Sequence, residues 1–359
     1  MKRIFVSDCE GPISKNDNAF ELAENFIPNG DRFFANISKY DDVLADAIKK
    51  PDYSAGSTLR LILPFFKAYG LTDKQMEDFS AKNIILIADS KMALNCIQKT
   101  ADAYIVSTSY EHYIKPLCKT VDFPYKNTYC TKVSLDRCPI TPQEKECLRE
   151  IAQEIAQMPV INIPPNAKVI KDFSSSCQAL IQRLDEVFWS LVPEMFVGKF
   201  LADVVTVGGE QKAESIQDAA KRSRTKLEDV MYVGDSITDV EAFRLVRGNG
   251  GLTISFNGNS YAVREAEVAV TSESNLATAV ITDLFSKYGT AQTLKVLKLW
   301  SYETLKKNNV EEGILKKLSI SGESLPKIQI VTAKNMNSLI KESCAFRKKV
   351  RGVVVGRLG

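Results

Sequence analysis

Histidine is nearly missing from this chain of 359 residues, which contains only His112. Ser-His-Asp triads, histidine phosphatases and multi-histidine metal sites would all have to use that one side chain. Any catalysis is therefore expected to depend on carboxylates, lysine and hydroxyl groups. His112 itself is predicted to be structural.

Several short motifs are also missing. The eight cysteines form no C-x-x-C pair, which argues against a zinc ribbon, a redox motif and a secreted disulfide framework. Neither GxxxxGK[ST] nor GxGxxG occurs, so the sequence does not support a P-loop NTPase or a Rossmann dinucleotide site.

Long apolar runs and strong net charge are absent as well. No run approaches the roughly 18 apolar residues that span a bilayer, and the run before Asp8 is too short for a signal peptide. We therefore expect a cytoplasmic protein without membrane insertion. The net charge of +3 is too small to imply a nucleic-acid partner. The basic stretch RKKVRG at 347–352 is predicted to be a solvated tail.

Short, non-alternating apolar runs are what the chain does contain. Such runs, separated by helical patterns, are typical of strands buried on both faces of a parallel sheet. The sequence therefore predicts an α/β fold with a doubly wound parallel sheet. The predicted strands are 3–7, 103–106, 129–135, 230–233 and 252–255. One more strand is predicted at 328–333, in a small C-terminal region.

The spacing of these runs predicts insertions. About 90 residues separate the first two strands, far more than a crossover helix needs. We expect a helical cap at 15–99 and a second helical insertion at 141–194. The core is then 1–14 with 100–140 and 195–290, followed by a C-terminal extension at 291–359.

Polar and charged side chains follow the ends of the predicted strands. Ligands of parallel sheets bind outside the carboxyl ends of the strands, so these side chains are expected to converge. They offer a nucleophile, a hydroxyl donor, a cation and acids suited to a hard divalent metal, as phosphoryl transfer requires. The residues at strand ends are Asp8, Glu10, Ser107, Asp235 and Asp239. The cation is Lys212, which is predicted to lie just before the helix that precedes the strand of Asp235.

The segments DCEGP, IVSTSY, QKAES and VGDSITD resemble the four motifs of the haloacid dehalogenase (HAD) superfamily. The resemblance is strongest to the phosphoserine-phosphatase-like branch. It covers the predicted core and leaves the insertions and the C-terminal extension unexplained. The opening SDCEGPISKNDNAFELA further resembles archaeal HAD-like proteins described as energy-converting hydrogenase A subunit R, which names an association rather than a reaction.

The resemblance implies a set of roles. Asp8 would attack phosphorus and form an aspartyl-phosphate. A Mg²⁺ ion would be held by Asp8, the main-chain carbonyl of Glu10, and Asp235. Glu10 would be the general acid and base, where the family usually has aspartate; the longer side chain shifts the carboxyl group.

The remaining roles concern the phosphate. The resemblance implies that Ser107, Thr108 and Lys212 bind its oxygens. Asp239 would not bind the metal itself; it would orient Lys212 or a metal-bound water.

The leading function is magnesium-dependent hydrolysis of a small phosphorylated metabolite. Two alternatives stay open. Glu10 and the C-terminal extension favour a weakly active or inactive accessory subunit of a larger, hydrogenase-associated complex. A phosphotransferase would use the same residues. A protein complex or a homo-oligomer is compatible with each reading.

Overall fold

A seven-stranded sheet lies at the centre of the computed structural model, which describes residues 3–320, 325–353 and 355–357. The strand order is β3-β2-β1-β4-β5-β6-β7, and all neighbours are parallel except β6 and β7. This confirms the predicted α/β fold. The strands are β1 (Ile4–Ser7), β2 (Asp102–Tyr110), β3 (Thr128–Thr131), β4 (Val230–Gly234), β5 (Leu252–Phe256), β6 (Val268–Thr271) and β7 (Lys327–Ile330).

Helices account for most of the remaining described residues. In chain order they are α1 (Asn18–Phe26), α2 (Gly30–Asp42), α3 (Thr58–Leu61), α4 (Leu63–Ala68), α5 (Asp73–Lys82), α6 (Ser90–Thr100), α7 (Glu111–Val121), α8 (Pro142–Gln157), α9 (Ser175–Glu186), α10 (Lys199–Asp203), α11 (Glu210–Arg222), α12 (Val240–Gly248), α13 (Ser260–Glu265), α14 (Leu276–Lys298), α15 (Tyr302–Lys307), α16 (Glu312–Ile320) and α17 (Met336–Arg351).

The sheet is covered by helices on both faces. Alternate strand residues point to opposite faces, so Phe5 packs with α6, α7 and α14. Ile4 and Val6 pack with α11 and α12 on the other face. All four residues of β1 are buried, which explains why its sequence is continuously apolar before the polar Ser7.

Two strand predictions need correction, and one strand was not predicted. The strand predicted at 129–135 ends at Thr131, because Val133 and Leu135 leave the sheet for the core of the insertions. The strand at Val268–Thr271 was not predicted separately. The strand predicted at 328–333 is shorter: it is β7, an antiparallel edge strand of the main sheet.

The two predicted insertions share one hydrophobic cluster. Its members come from residues 19–76 and 133–204, with Tyr110 added from β2. The Phe188 ring stacks on Tyr40 at a centroid distance of 5.8 Å and meets Phe65 edge-on at 6.1 Å. Helix α6, within the predicted cap range, packs with the sheet instead. The division into domains stays a proposal.

Across the described ranges, no helix combines the length and the apolar character needed to cross a membrane.

Replacing Phe188 by alanine is expected to reduce the free energy of unfolding by about 3–5 kcal/mol, because the ring is fully buried where the two insertions meet. Chemical denaturation of both proteins measures the difference. The control is Phe196→Ala, since Phe196 is 55% exposed. An equal effect of the two substitutions would contradict a shared core.

Candidate active site

The candidate site lies where the strand order reverses around β1. Ser7 of β1 is in register with Ile105 of β2 and Val233 of β4. Asp8 and Asp235 directly follow β1 and β4, and Ser107 lies at nearly the same level, within β2 and near its carboxyl end. The crevice at such a reversal is where open α/β sheets bind ligands.

A buried lysine joins two of the predicted carboxylates. Lys212 Nζ lies 2.9 Å from Asp8 Oδ2 and 2.7 Å from Asp239 Oδ1. The lysine side chain is completely buried, in the first turn of α11 and not before the helix as predicted. Its charge is thus compensated by two carboxylates within hydrogen-bond distance.

Asp239 organises the loop after β4. Its Oδ1 also accepts from the Tyr232 hydroxyl at 2.6 Å, and its Oδ2 accepts from the N–H groups of Asp235 and Ser236 at 2.8 and 2.9 Å. Gly234 makes room for this carboxylate, because a Cβ there would lie 2.5 Å from Asp239 Cγ. These hydrogen bonds to Asp239 hold both the Lys212 side chain and the Asp235 backbone in place.

Burial and charge act against each other on these pKa values. Burial lowers the pKa of Lys212, but Asp239 and Asp8 outweigh burial and raise it. Burial raises the pKa of Asp239, yet Lys212 and the hydrogen bonds bring it below its ordinary value. Burial raises the pKa of Asp8, with Lys212 opposing the rise. Lys212 and Asp239 are accordingly a charged pair.

Glu10 lies in the same cavity as Asp8. Its Oε1 accepts from the Asn18 N–H, at the start of α1, at 2.7 Å. Burial, followed by the charge of Asp17, raises the pKa of Glu10 well above its ordinary value. A raised pKa favours the protonated carboxyl group, which is the form that a general acid requires.

The turn after Asp8 depends on glycine. Gly11 has a φ of +113°, and a Cβ there would lie 2.0 Å from Asp235 Oδ2. The carboxylate of Asp235 therefore packs directly against this turn. A side chain at position 11 would displace it.

The predicted phosphate-binding hydroxyls lie on an irregular part of β2. The register with β3 shifts between Ser107 and Tyr110, and bulges of this kind change where side chains point. Ser107 Oγ donates to Ser109 Oγ at 3.1 Å. Thr108 Oγ1 is buried without a hydrogen-bond partner among the described residues, and Thr108 lines the cavity. An oxygen of a bound ligand could form a hydrogen bond with this hydroxyl group.

Residues of the predicted cap close the cavity from the other side, and none of them was predicted as a site residue. Asp41 accepts from the Gly56 N–H at 2.9 Å and from Thr58 Oγ1 at 3.0 Å. A Cβ on Gly56 would lie only 2.9 Å from Thr108 Cγ2. Asp41 thus shapes a loop that fits closely over the end of β2. The adjacent acidic pair Asp41-Asp42 was the available sequence signal.

Two arginines of α17 also reach the site, so the prediction of a solvated tail at 347–352 was wrong. Arg347 is 2% exposed and contacts Asp235 Oδ2; Arg351 Nη1 lies 3.2 Å from the same oxygen. The spacing of four residues from Leu339 through Ser343 to Arg347 places all three on one buried helix face. This spacing was a usable signal.

His112 lies outside the cavity. It is buried, and its Nε2 is 3.3 Å from Asp73 Oδ1, on α5. This position is consistent with the predicted structural role.

The acidic residues offer a donor set suited to a divalent cation. Asp8, Asp235 and Asp239 each supply a carboxylate oxygen, and these atoms lie within 4.8 Å of one another. Mg²⁺ prefers such oxygen ligands. The predicted set was Asp8, Glu10 and Asp235. Asp239 also accepts hydrogen bonds from Lys212, Tyr232 and two backbone N–H groups, and its predicted indirect role stays a prediction.

The family model for haloacid dehalogenase-like hydrolases matches residues 56–284, which is more than half of the chain. The chain belongs to this family of hydrolases. The predicted membership of the HAD superfamily is therefore confirmed. None of the curated proteins compared with the chain matches it.

Among solved structures, the HAD-like chain resembles gene product AF1437 from Archaeoglobus fulgidus over 100% of its own length and 99% of that chain. The sequence identity is 26% and the TM-score 0.82, so the whole fold is shared. An apo phosphoserine phosphatase structure matches at 13% identity and a TM-score of 0.45, covering 80% of this chain and 99% of that one. That similarity is too low to support an argument about function. The association with a hydrogenase stays a prediction.

Replacing Lys212 by glutamine is expected to cost about 3–5 kcal/mol of unfolding free energy, because two buried carboxylates lose their shared partner. Asp239→Asn should cost less in the Lys212→Gln background than in the native protein, with a coupling of about 1–3 kcal/mol. Denaturation of the four proteins measures this cycle. Lys74→Gln, at an exposed ion pair, is the control. If the losses of unfolding free energy from Lys212→Gln and Asp239→Asn simply add in the double variant, the two residues are not a coupled pair.

Asp41 gives the unfolding free energy a defined pH dependence. Burial raises its pKa from 3.8 to about 6, so the folded state holds the proton more tightly than the unfolded state. The Asp41 contribution to stability therefore falls as pH rises through this interval. The free energy of unfolding of Asp41→Asn should rise relative to that of the native protein between pH 4 and 7, by on the order of 1–3 kcal/mol.

Denaturation at several pH values measures that gain, with exposed Asp31→Asn as the control. A difference between Asp41→Asn and the native protein that stays constant across the range would contradict the raised pKa.

Proposed function

We propose that this HAD-family protein is a magnesium-dependent phosphohydrolase that acts on a small phosphate monoester. One observation supports this function above all. Asp8, at the end of the central strand, lies against a buried Lys212–Asp239 pair and beside Asp235. A nucleophile, a fixed cation and a metal-binding carboxylate at one point are what phosphoryl transfer requires.

In the first step, an Asp8 oxygen forms a bond to phosphorus while the bond from phosphorus to the ester oxygen breaks. Glu10 donates its proton to the departing oxygen, which leaves as an alcohol. The product on the enzyme is an aspartyl-phosphate. The raised pKa of Glu10 supports this role, because the group must be protonated at the start.

In the second step, Glu10 is a carboxylate and accepts a proton from water. The water oxygen bonds to phosphorus, and the bond from phosphorus to Asp8 breaks. Inorganic phosphate leaves, Asp8 is regenerated, and Glu10 is protonated again. The proton balance closes over the two steps.

Ser107, Thr108 and Lys212 are proposed to bind the phosphate oxygens. Thr108 Oγ1 is buried with no hydrogen-bond partner within the described part of the chain, which supports its assignment. Asp239 holds Lys212 in place for this role. Asp8, the main-chain carbonyl of Glu10, and Asp235 would hold the Mg²⁺ ion. When bound, the ion neutralises negative charge on the phosphoryl oxygens.

The cavity favours a small substrate. Residues of the cap, among them Phe34 and Leu59, close over the carboxylates at the ends of β1 and β4. A cap in this position excludes water and bulky groups from the reacting atoms. We therefore expect a small phosphorylated metabolite as the partner.

Phosphate release from an aryl phosphate and a panel of metabolite phosphates, with and without Mg²⁺, tests the function. Release should require Mg²⁺ and disappear in Asp8→Asn, which lacks the nucleophile. Glu10→Gln should reduce it about 10²–10⁴-fold, because the proton donor is lost. Asp31→Asn is the control. Unchanged release from Asp8→Asn would contradict the mechanism.

Glu10→Asp separates the alternatives. If only this variant releases phosphate, the natural chain fits an accessory protein that kept the fold and lost turnover. Transfer of phosphate to an added alcohol in preference to water would instead favour a phosphotransferase.

A further inference from the structure

Arg351, in the last turn of α17, links two loops of the site. Its side chain is 5% exposed, and its guanidinium group contacts both loops. Nε donates to the Lys15 carbonyl at 3.0 Å, Nη2 donates to the Asn16 carbonyl, and Nη1 lies 3.2 Å from Asp235 Oδ2. The planar donor group therefore holds the loop after Asp8 and the loop after β4 in a fixed relation to each other.

The loop held by Arg351 carries the N–H group that contacts Glu10. The Asn16 carbonyl belongs to the peptide unit before Asp17, and the next peptide unit supplies the Asn18 N–H. This N–H donates to Glu10 Oε1 at 2.7 Å. A shift of the Asn16 carbonyl therefore moves the Asn18 N–H, and with it the carboxyl group of Glu10.

Other contacts keep the loop folded when Arg351 is changed. The Asn16 side chain is buried, and its Oδ1 accepts from the Ile85 N–H at 2.8 Å and from the Tyr113 hydroxyl at 3.0 Å. These contacts hold the side chain of Asn16, whereas Arg351 holds its carbonyl. Loss of the guanidinium group should therefore shift the loop rather than unfold it.

Asp235 is also protected against the loss of Arg351. Arg347 contacts the same Asp235 Oδ2, so this carboxylate retains a guanidinium group beside it when Arg351 is replaced. The consequences of replacing Arg351 should therefore be greatest in the loop that leads to Glu10.

We propose that Arg351 is a positioning residue for the reaction: by holding the Lys15 and Asn16 carbonyls, it sets the place from which Glu10 transfers a proton to the departing ester oxygen. This inference rests on the proposed function. It gives the C-terminal helix a part in proton transfer. A misplacement of about 1 Å in a reacting group can cost roughly 10²-fold in rate, so the effect is measurable.

Two esters of similar size, phenyl phosphate and 4-nitrophenyl phosphate, test the role of Arg351. Phenolate is a much stronger base than 4-nitrophenolate, so its departure from phosphorus depends more on a proton donor. The measured quantity is kcat/KM at saturating Mg²⁺, which reports the steps up to formation of the aspartyl-phosphate and release of the phenol.

The variants are Arg351→Gln and Arg351→Lys in the whole chain. Lys341→Gln is the matched control, because Lys341 is exposed on the same helix and its replacement also removes one positive charge. Circular dichroism checks that each variant is folded.

Arg351→Gln should lower kcat/KM about 10²-fold for phenyl phosphate and about tenfold for 4-nitrophenyl phosphate, because phenolate depends more on the proton donor. Arg351→Lys should recover part of both losses, since an ammonium group can donate to a carbonyl but lacks the planar arrangement of donors. Lys341→Gln should match the native protein. An equal loss for the two esters would indicate a purely structural role and overturn the inference.

Two further measurements need no turnover. Hydrogen exchange at the amides of residues 15–18 should become about tenfold faster in Arg351→Gln, because the loop loses an anchor. Exchange at the native rate would overturn the inference. Affinity for inorganic phosphate, measured by calorimetry at saturating Mg²⁺, should stay within about twofold of the native value. A loss of phosphate affinity as large as the loss of kcat/KM would make Arg351 a phosphate-binding residue and overturn the inference.

The proposed function fails in a different way. If the native protein releases phosphate from neither ester and from no member of the metabolite panel, the phosphohydrolase function is refuted, and the inference with it. If the native protein is active and Arg351→Gln slows both esters by the same factor, the function stands and only the role of Arg351 is overturned.

Discussion

The buried lysine between Asp8 and Asp239 is the interaction on which the site depends. A fully buried ammonium group is stable only with compensating charge, and the two carboxylates supply it. The same Asp239 carboxylate accepts from the backbone of Asp235 and Ser236. One ion network therefore connects the end of β1, the start of α11 and the loop after β4.

Close backbone packing brings the cap onto this network. Gly11 lets the Asp235 carboxylate approach the turn after Asp8, and Gly56 lets the cap loop approach Thr108. The loop itself is shaped by Asp41, a buried carboxylate with a raised pKa. The same small and acidic residues thus set the size of the cavity and its negative charge.

The C-terminal part of the chain completes the core. Strand β7 extends the sheet beside β6, and α17 carries Arg347 and Arg351 to Asp235. The similarity to AF1437 includes this region, since it extends over the whole chain. For the proposed reaction, the consequence is a site whose charge balance is set by residues from opposite ends of the sequence.

The sequence by itself determined the fold class and the predicted residues at strand ends. Apolar runs specify buried strands, and parallel strands bring their carboxyl ends together, so Asp8, Ser107 and Asp235 could be placed from local patterns alone. Glu10 could be picked out in the same way, whereas its hydrogen bond to Asn18 could not.

Tertiary structure alone decided what faces these residues. The partners Arg347 and Asp41 are far from Asp8 in sequence, and only packing shows that a basic helix end is buried. Local patterns report the period and composition of a segment; the charge that compensates a buried carboxylate depends on which distant segment packs against it.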